Sequence, residues 1–225
     1  MARKVKVVPF TTNWARRYRE AAEELCALLG DELLAVEHIG STAIPNMSAK
    51  PIIDILVVVR DIEAVDTLNP AFEAAGYLPR GEYGIPGRRF FIRGSENQRT
   101  RHVHIFQQGS PQIERHLAFR DYMITHPEEA AAYAQLKETL AQRFPQDIDG
   151  YIAGKDAFIK EIDRRAAAWR AHPAQPAAVE SAEHPAEPLE LEGRRRRVAA
   201  LALSGALLSL LILLVYRLFA RRRCC

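Results

Sequence analysis

The feature that most constrains this chain is an apolar run at residues 52–59 that contains a single charged side chain, Asp54. Such a run of aliphatic and β-branched residues is typical of a strand buried on both faces of a sheet. A carboxylate inside a buried strand is costly unless it is paired or binds a cation. The sequence therefore predicts a functional role for Asp54.

A turn of small residues, Gly40-Ser41-Thr42, comes shortly before this strand. Small residues after a strand allow backbone N–H groups and a hydroxyl to approach phosphate oxygens closely. Mg²⁺ held by an aspartate while it bridges phosphates is the usual pattern in phosphoryl or nucleotidyl transfer. We therefore predict that Gly40, Ser41 and Thr42 bind phosphates beside a divalent cation, Mg²⁺ or Mn²⁺, held by Asp54.

The order of predicted elements indicates the fold class. Periodicity and turn residues predict strands at 5–8, 34–38, 52–59, 88–93 and 101–107. They predict a first helix that is capped by Thr11 or Thr12 and stops at Gly30, and further helices at 62–75, 113–125, 128–144 and 148–171. Strands come first and helices later, with one βα unit near the start. We therefore predict an α/β (α+β) domain at 1–171, with a mixed β-sheet covered by helices and a helical C-terminal part.

The last 54 residues differ sharply in composition. Residues 172–193 are rich in Pro, Ala and Glu and are interpreted as a linker. Residues 194–225 contain an uncharged apolar run at 198–216, flanked by arginines, whose 19 residues approach the roughly 20 of a bilayer-spanning helix. The sequence therefore predicts a single C-terminal transmembrane anchor and a single-pass membrane location, with the main domain in the cytosol.

Charge argues against one class of partner. The region from 194 onward has eight arginines and no acidic residue, which leaves 23 basic and 28 acidic residues in 1–193. A net charge of −5 does not suit general nucleic-acid binding, so no nucleic-acid partner is expected.

Several motifs carry a resemblance to a known family. They read EHIGSTAIP at 37–45, AKPIIDI at 49–55, RHVHI at 101–105 and HLAFRDY at 116–122, and shorter matches include Leu136-Lys137 and Gly154-Lys155. The sequence resembles the GrpB family, a branch of the nucleotidyltransferase superfamily whose members also occur fused to dephospho-CoA kinases. The resemblance runs from about residue 5 to 165 and implies a nucleotidyltransferase-like sheet that binds a nucleoside triphosphate.

One position departs from the superfamily pattern, which places two acids one residue apart on the strand. Asp54 matches the first acid, whereas Leu56 occupies the position of the second. His102 and His104, two residues apart on a predicted strand, project to one face and are the candidates to complete the metal site. The alternative is a hydrogen-bonded pair of histidines in the sheet.

Three further basic residues are predicted to bind the nucleotide: Lys50, Arg88 and Lys155. For each of them, a solvated surface charge is the alternative. The leading hypothesis is a metal-dependent nucleotidyltransferase, with Asp54 as the catalytic residue and an unknown acceptor. A non-catalytic module that binds a nucleotide or a CoA-like molecule is the second, and a tethered adaptor with a vestigial pocket is the third.

Overall fold

The structure is a computed structural model, and it describes residues 4–95 and 97–172. In chain order the elements are α1 (Asn13–Leu29), β1 (Leu33–Ile39), β2 (Ile53–Val59), α2 (Ala64–Thr67), α3 (Asn69–Ala74), β3 (Tyr77–Pro79), β4 (Arg88–Gly94), β5 (Arg99–Gln107), α4 (Pro111–Thr125), α5 (Pro127–Arg143) and α6 (Ile148–Ala171). The predicted mixed α/β architecture with a helical C-terminal part is confirmed.

The five strands form one sheet in the order β1-β2-β5-β4-β3. Strands β2 and β5 are parallel, and the other neighbouring pairs are antiparallel. The parallel register places Asp54 opposite His102 and Leu56 opposite His104. Because side chains alternate between the two faces of a strand, these four residues share one face of the sheet.

The opposite face carries the larger hydrophobic core. Ile53, Ile55 and Val57 of β2 are fully buried there, and they belong to one cluster with Trp14 and Leu25 of α1. This burial on both faces explains why β2 reads as a nearly continuous apolar run. Helices α4, α5 and α6 pack mainly against one another, and α4 also contacts β1 and β2.

Leu56 belongs to a small apolar cluster on the face that bears Asp54. It is fully buried and packs with Ile39 and Phe106. A carboxylate at this position would be buried beside aliphatic and aromatic side chains, and its polar neighbour on β5 would be the neutral ring of His104. The position at which the resemblance implies a second acid is therefore a core position in this chain.

Leu56→Asp is accordingly expected to destabilise the protein rather than restore a metal site. Burying a carboxylate here is expected to lower the free energy of unfolding by about 3–5 kcal/mol. Urea unfolding at pH 7 measures this loss. Leu56→Met is the control, because it conserves volume and is expected to cost less than about 1.5 kcal/mol. A stable Leu56→Asp variant that binds Mn²⁺ would contradict this account of the position.

The structure corrects two predictions that concern the membrane. In the described part of the chain, no helix combines the length and the apolar composition that crossing a bilayer requires. Even the longest helix, α6, carries charged residues along its length, including Lys155, Asp156, Lys160 and Glu161. The described residues therefore have an α/β fold without the predicted transmembrane helix, and they give the predicted membrane location no support. The run 198–216, on which both predictions rest, lies outside the described residues.

Two local predictions also differ from the structure. The predicted strand at 5–8 is reduced to an isolated bridge between Val8 and Ala49. The predicted helix at 62–75 is divided into α2 and α3, because Pro70 lies in the first turn of α3 and begins a new helix.

Candidate functional site

A cavity of about 570 Å³ is lined by residues of the sheet and of helices α4, α5 and α6. Eight of the nine predicted site residues line it: Ser41, Thr42, Lys50, Asp54, Arg88, His102, His104 and Lys155. The ninth, Gly40, lies directly against Asp54. Elements far apart in the chain thus bring the predicted residues together, while the role of each residue stays a prediction.

Gly40 has a backbone geometry and a close contact that require glycine. Its φ is +69°, and a Cβ atom there would lie 2.7 Å from Oδ2 of Asp54. The turn that follows, Ser41–Ala43, is a short 3-10 helix whose buried Thr42 hydroxyl contacts Nε2 of His38 at 2.9 Å. Gly40 therefore allows the turn to lie against the carboxylate of β2.

Gly40→Ala is expected to destabilise the protein more than Gly84→Ala. Gly84 has a φ of +84°, and a Cβ atom there would have no described atom within 4 Å, so alanine adds backbone strain alone, about 1 kcal/mol. Gly40→Ala adds the collision with Asp54 to this strain. We therefore expect it to lower the free energy of unfolding by about 1–3 kcal/mol more than Gly84→Ala does. Urea unfolding of both variants measures the difference. Equal losses would contradict the close packing of the turn on Asp54.

Asp54 and the two histidines form the polar centre of the cavity. Nδ1 of His102 lies 2.9 Å from Oδ1 of Asp54, and Nε2 of His104 lies 3.8 Å from the same oxygen. Burial alone would raise the pKa of Asp54, but the hydrogen bond from His102 and the closeness of His104 hold it well below its usual range. Asp54 is therefore ionised at neutral pH.

Arg88 determines the tautomer of His104. Its Nη1 lies 3.2 Å from Nδ1 of His104, and a guanidinium can only donate hydrogen bonds. Burial lowers the pKa of His104, so the ring is neutral, accepts at Nδ1 and carries its proton on Nε2, which faces Asp54. His104 therefore presents an N–H group, and not a lone pair, to the carboxylate.

This arrangement does not fit a resident Mg²⁺ or Mn²⁺ held jointly by Asp54, His102 and His104. In residues 4–95 and 97–172 there is no group of three or more His, Cys, Asp or Glu side chains that could hold a metal ion. Asp54 is also the only carboxylate among the described residues that line the cavity. Metal ligation by these residues stays a prediction, and the chemistry below is derived from the protein groups alone.

Lys137 of α5 is a feature of the site that the sequence analysis did not assign. Its side chain is only 3% exposed, and its Nζ has no hydrogen-bond partner among the described residues. The ammonium lies 4.6 Å from the centre of the Tyr133 ring. Burial, together with the charge of nearby Lys155, lowers the pKa of Lys137 to about 7. A buried amino group in need of an acceptor thus lines the cavity.

Two other lysines extend this basic wall of the cavity. Lys50 and Lys155 lie over the ring of Tyr151, at 5.3 and 5.7 Å from its centre. The lining also includes Arg88, Arg99 and Arg115, the last of which is paired with Asp163. Basic residues therefore outnumber the single acid, Asp54, among the described residues that line the cavity. Clustering like charges in a cavity is unfavourable unless an anion binds there. The electrostatics therefore favour a polyanionic ligand.

Comparison with known proteins identifies relatives over the described domain. The family described as GrpB protein matches residues 4–165. UPF0157 protein YqkA of Bacillus subtilis is 50% identical over 168 residues, which cover 75% of this chain and 49% of YqkA. This chain therefore spans about half the length of that relative.

Two further matches come from a solved structure and an enzyme. The crystal structure of the conserved protein GrpB from Enterococcus faecalis is 47% identical, with a TM-score of 0.69 over 72% of this chain and 96% of that one. A dephospho-CoA kinase of Mycolicibacterium paratuberculosis is 30% identical over 190 residues, which cover 73% of this chain and 46% of the kinase. The family match at residues 4–165 extends across the elements that form the cavity.

Proposed function

This chain belongs to the GrpB family, and we propose that its cavity binds the phosphate chain of a nucleoside triphosphate or of a CoA-like molecule through basic side chains. In this proposal Lys137 and Lys155 contact the phosphates directly. Arg88 holds His104 in the tautomer that donates towards Asp54. The ligand is bound without a resident metal centre.

The observation that supports this function most strongly is the buried amino group of Lys137. A buried polar group without a hydrogen-bond partner costs free energy in the folded state. A phosphate oxygen would supply the missing acceptor and would favour the charged form of the lysine. Both effects favour a complex with an anion over the free protein.

A nucleoside triphosphate and a CoA-like molecule both carry phosphates, so the choice between them depends on the part of the ligand that lies beyond its phosphate groups. The matched region of the dephospho-CoA kinase relative is less than half of that protein, so its name identifies no ligand for this chain. It does support testing CoA beside nucleoside triphosphates, because both ligands present phosphate groups that basic side chains can bind.

A second candidate is transfer of a nucleotidyl group to an acceptor. The specific observation in its favour is the turn at Gly40, which places Ser41 and Thr42 beside the ionised carboxylate of Asp54. Such a turn can position a phosphate by backbone N–H groups, and catalysis would then depend mainly on positioning and charge stabilisation.

Ligand binding is tested by the thermal shift of the full chain. Tripolyphosphate, ATP and CoA are added separately, each with EDTA, with Mg²⁺ or with Mn²⁺. A ligand that binds only the folded state raises the melting temperature by mass action. We expect ATP or CoA to raise it in EDTA as well as with metal. The absence of any shift in every condition would contradict the proposed function.

Nucleotidyl transfer is tested by release of pyrophosphate from each nucleoside triphosphate, with Mg²⁺, with Mn²⁺ and with EDTA. The comparison of ions tests the predicted divalent cofactor directly. If this candidate is correct, release depends on Asp54 and is lost in Asp54→Asn. Binding without release in any condition, with small-molecule acceptors present, would favour the non-catalytic module.

A further inference from the structure

Tyr83 is a large aromatic side chain that is exposed at the cavity. It lines the cavity although 56% of it is exposed to solvent. One face of its ring stacks on Phe90 of β4, with 5.2 Å between the ring centres and 21° between the planes. Ile152, also exposed, and Ile85 line the same cavity. The basic cavity therefore has an apolar part that phosphate groups do not use.

The loop at residues 81–87 holds Tyr83 in an unusual conformation. Tyr83 has a φ of +45°, in the left-handed region that is unfavourable for a residue with a side chain. Gly81, Gly84 and Gly87 in the same loop also have positive φ, which glycine adopts without cost. The strain at Tyr83 must therefore be offset by contacts that the loop makes.

Arg88, the first residue of β4, makes two such contacts. Its Nη2 donates to the backbone carbonyl of Tyr83 at 2.6 Å, and its Nε donates to that of Glu82 at 3.1 Å. The Glu82 carboxylate in turn accepts from the N–H of Gly87 at 2.6 Å. Arg88 is only 5% exposed, and it also bonds His104 in the cavity. The same side chain thus connects the polar centre of the cavity to the position of Tyr83.

We propose that Tyr83 is the stacking platform for the base of the ligand. The inference rests on the proposed function, because the phosphates of the same molecule must occupy the basic part of the cavity. The outer face of the Tyr83 ring would receive a planar heterocycle, with Phe90 behind it as the third ring of the stack. The ligand proposed is therefore a nucleotide, which carries both a base and phosphates, and not inorganic polyphosphate or a phosphorylated sugar.

The test compares ATP with tripolyphosphate, because the two share the phosphate chain and differ in the nucleoside. Calorimetric titrations in EDTA use the full-length wild type, Tyr83→Leu and Tyr83→Phe. Stacking on an aromatic side chain is worth about 1–3 kcal/mol per base, or roughly 5- to 150-fold in affinity. We expect Tyr83→Leu to lose about that factor for ATP and to leave tripolyphosphate affinity unchanged. Tyr83→Phe keeps the ring and is expected to bind ATP like the wild type.

The possible outcomes separate this inference from the function on which it rests. If the wild type binds neither ligand, the phosphate site itself is wrong. If the wild type binds both ligands and Tyr83→Leu prefers ATP over tripolyphosphate as strongly as the wild type does, the phosphate site is supported. The proposal that Tyr83 stacks on the base is then wrong. If Tyr83→Leu loses the same factor of affinity for ATP and for tripolyphosphate, the stacking proposal is also overturned. Such a result would show that Tyr83 maintains the structure of the site and does not contact the base.

Discussion

Lys137→Met is expected to make the protein more stable and to weaken its binding of phosphate chains. Methionine fills the same buried space without an ammonium that lacks a hydrogen-bond partner in the described part of the chain. Each unit by which burial lowers a pKa corresponds to about 1.4 kcal/mol, so the fall from 10.5 to about 7 corresponds to a penalty on the order of 5 kcal/mol below pH 7. Loss of a buried charged contact to phosphate is expected to weaken ATP binding about 100-fold.

The stability gain has a defined pH dependence. In the unfolded chain Lys137 loses its proton near its ordinary pKa of 10.5, whereas in the folded protein it does so at about pH 7. Between those values the unfolded chain binds more protons, so wild-type stability rises with pH across this window. The advantage of Lys137→Met is therefore largest below pH 7 and shrinks towards pH 10, as chemical unfolding at several pH values will measure.

Wild-type stability rises with pH above about 7, whereas ligand affinity is expected to fall. The protonated amino group attracts phosphate, so wild-type affinity for ATP is expected to fall as pH rises above about 7. Lys137→Met should lack this decline. Lys160→Met is the matched control, because Lys160 also lies on a helix but is exposed and paired with Asp156. If Lys137→Met destabilises the protein, or binds ATP like the wild type, the role assigned to Lys137 is wrong.

Asp54→Asn is expected to strengthen binding of phosphate chains in the absence of metal. Asn can still accept the hydrogen bond from His102, but it removes the only negative charge among the described residues that line the cavity. Loss of this repulsion is expected to raise the affinity for tripolyphosphate in EDTA about tenfold, or about 1.4 kcal/mol. The measurement is a calorimetric titration at low ionic strength, where electrostatic effects are largest.

Asp66→Asn is the control for Asp54→Asn. Asp66 accepts two hydrogen bonds from Arg89 but does not line the cavity, so its replacement should leave the affinity for tripolyphosphate unchanged. Loss of tripolyphosphate binding in Asp54→Asn would contradict binding by basic side chains alone. If ATP binding in Mg²⁺ were also lost, Asp54 would be a metal ligand after all.

The secondary structure could be predicted where it depends on local pattern. The continuous β-branched run identified β2, and the predicted bounds of the last helix agree with those of α6, which begins after the capping residue Asp147. The short strand β3 was missed, since Tyr77–Pro79 has only three residues and gives no periodic signal. Its pairing with β4 depends on contacts distant in sequence.

Sequence patterns named cavity residues on strands β2 and β5, such as Asp54 and His102, but they did not name Lys137 of helix α5. Asp54 and His102 share a face because β2 and β5 pair in register, and alternation along a strand makes a shared face predictable. Lys137 lies four residues after Tyr133, so helical periodicity places it on the buried side of α5. That signal was available, but a lysine on an amphipathic helix is usually exposed.

The tautomer of His104 could not be predicted from the local sequence. It depends on Arg88, a residue of the neighbouring strand whose guanidinium also holds the loop at Tyr83. Sequence spacing predicted a metal ligand at His104, which stays a prediction, and it gave no indication that Arg88 would donate to this ring. Predicting that contact requires the positions of both side chains.

The most direct test of the central claim is the pKa of the Lys137 amino group, measured by NMR of lysine side-chain nitrogen with and without ATP. The account predicts a pKa near 7 in the free protein and a rise of at least about two units when ATP binds, because a phosphate oxygen stabilises the ammonium. Lys137→Met identifies the resonance by its absence. An ordinary pKa near 10.5 in the free protein, or a pKa that ATP leaves unchanged, would contradict phosphate binding at Lys137.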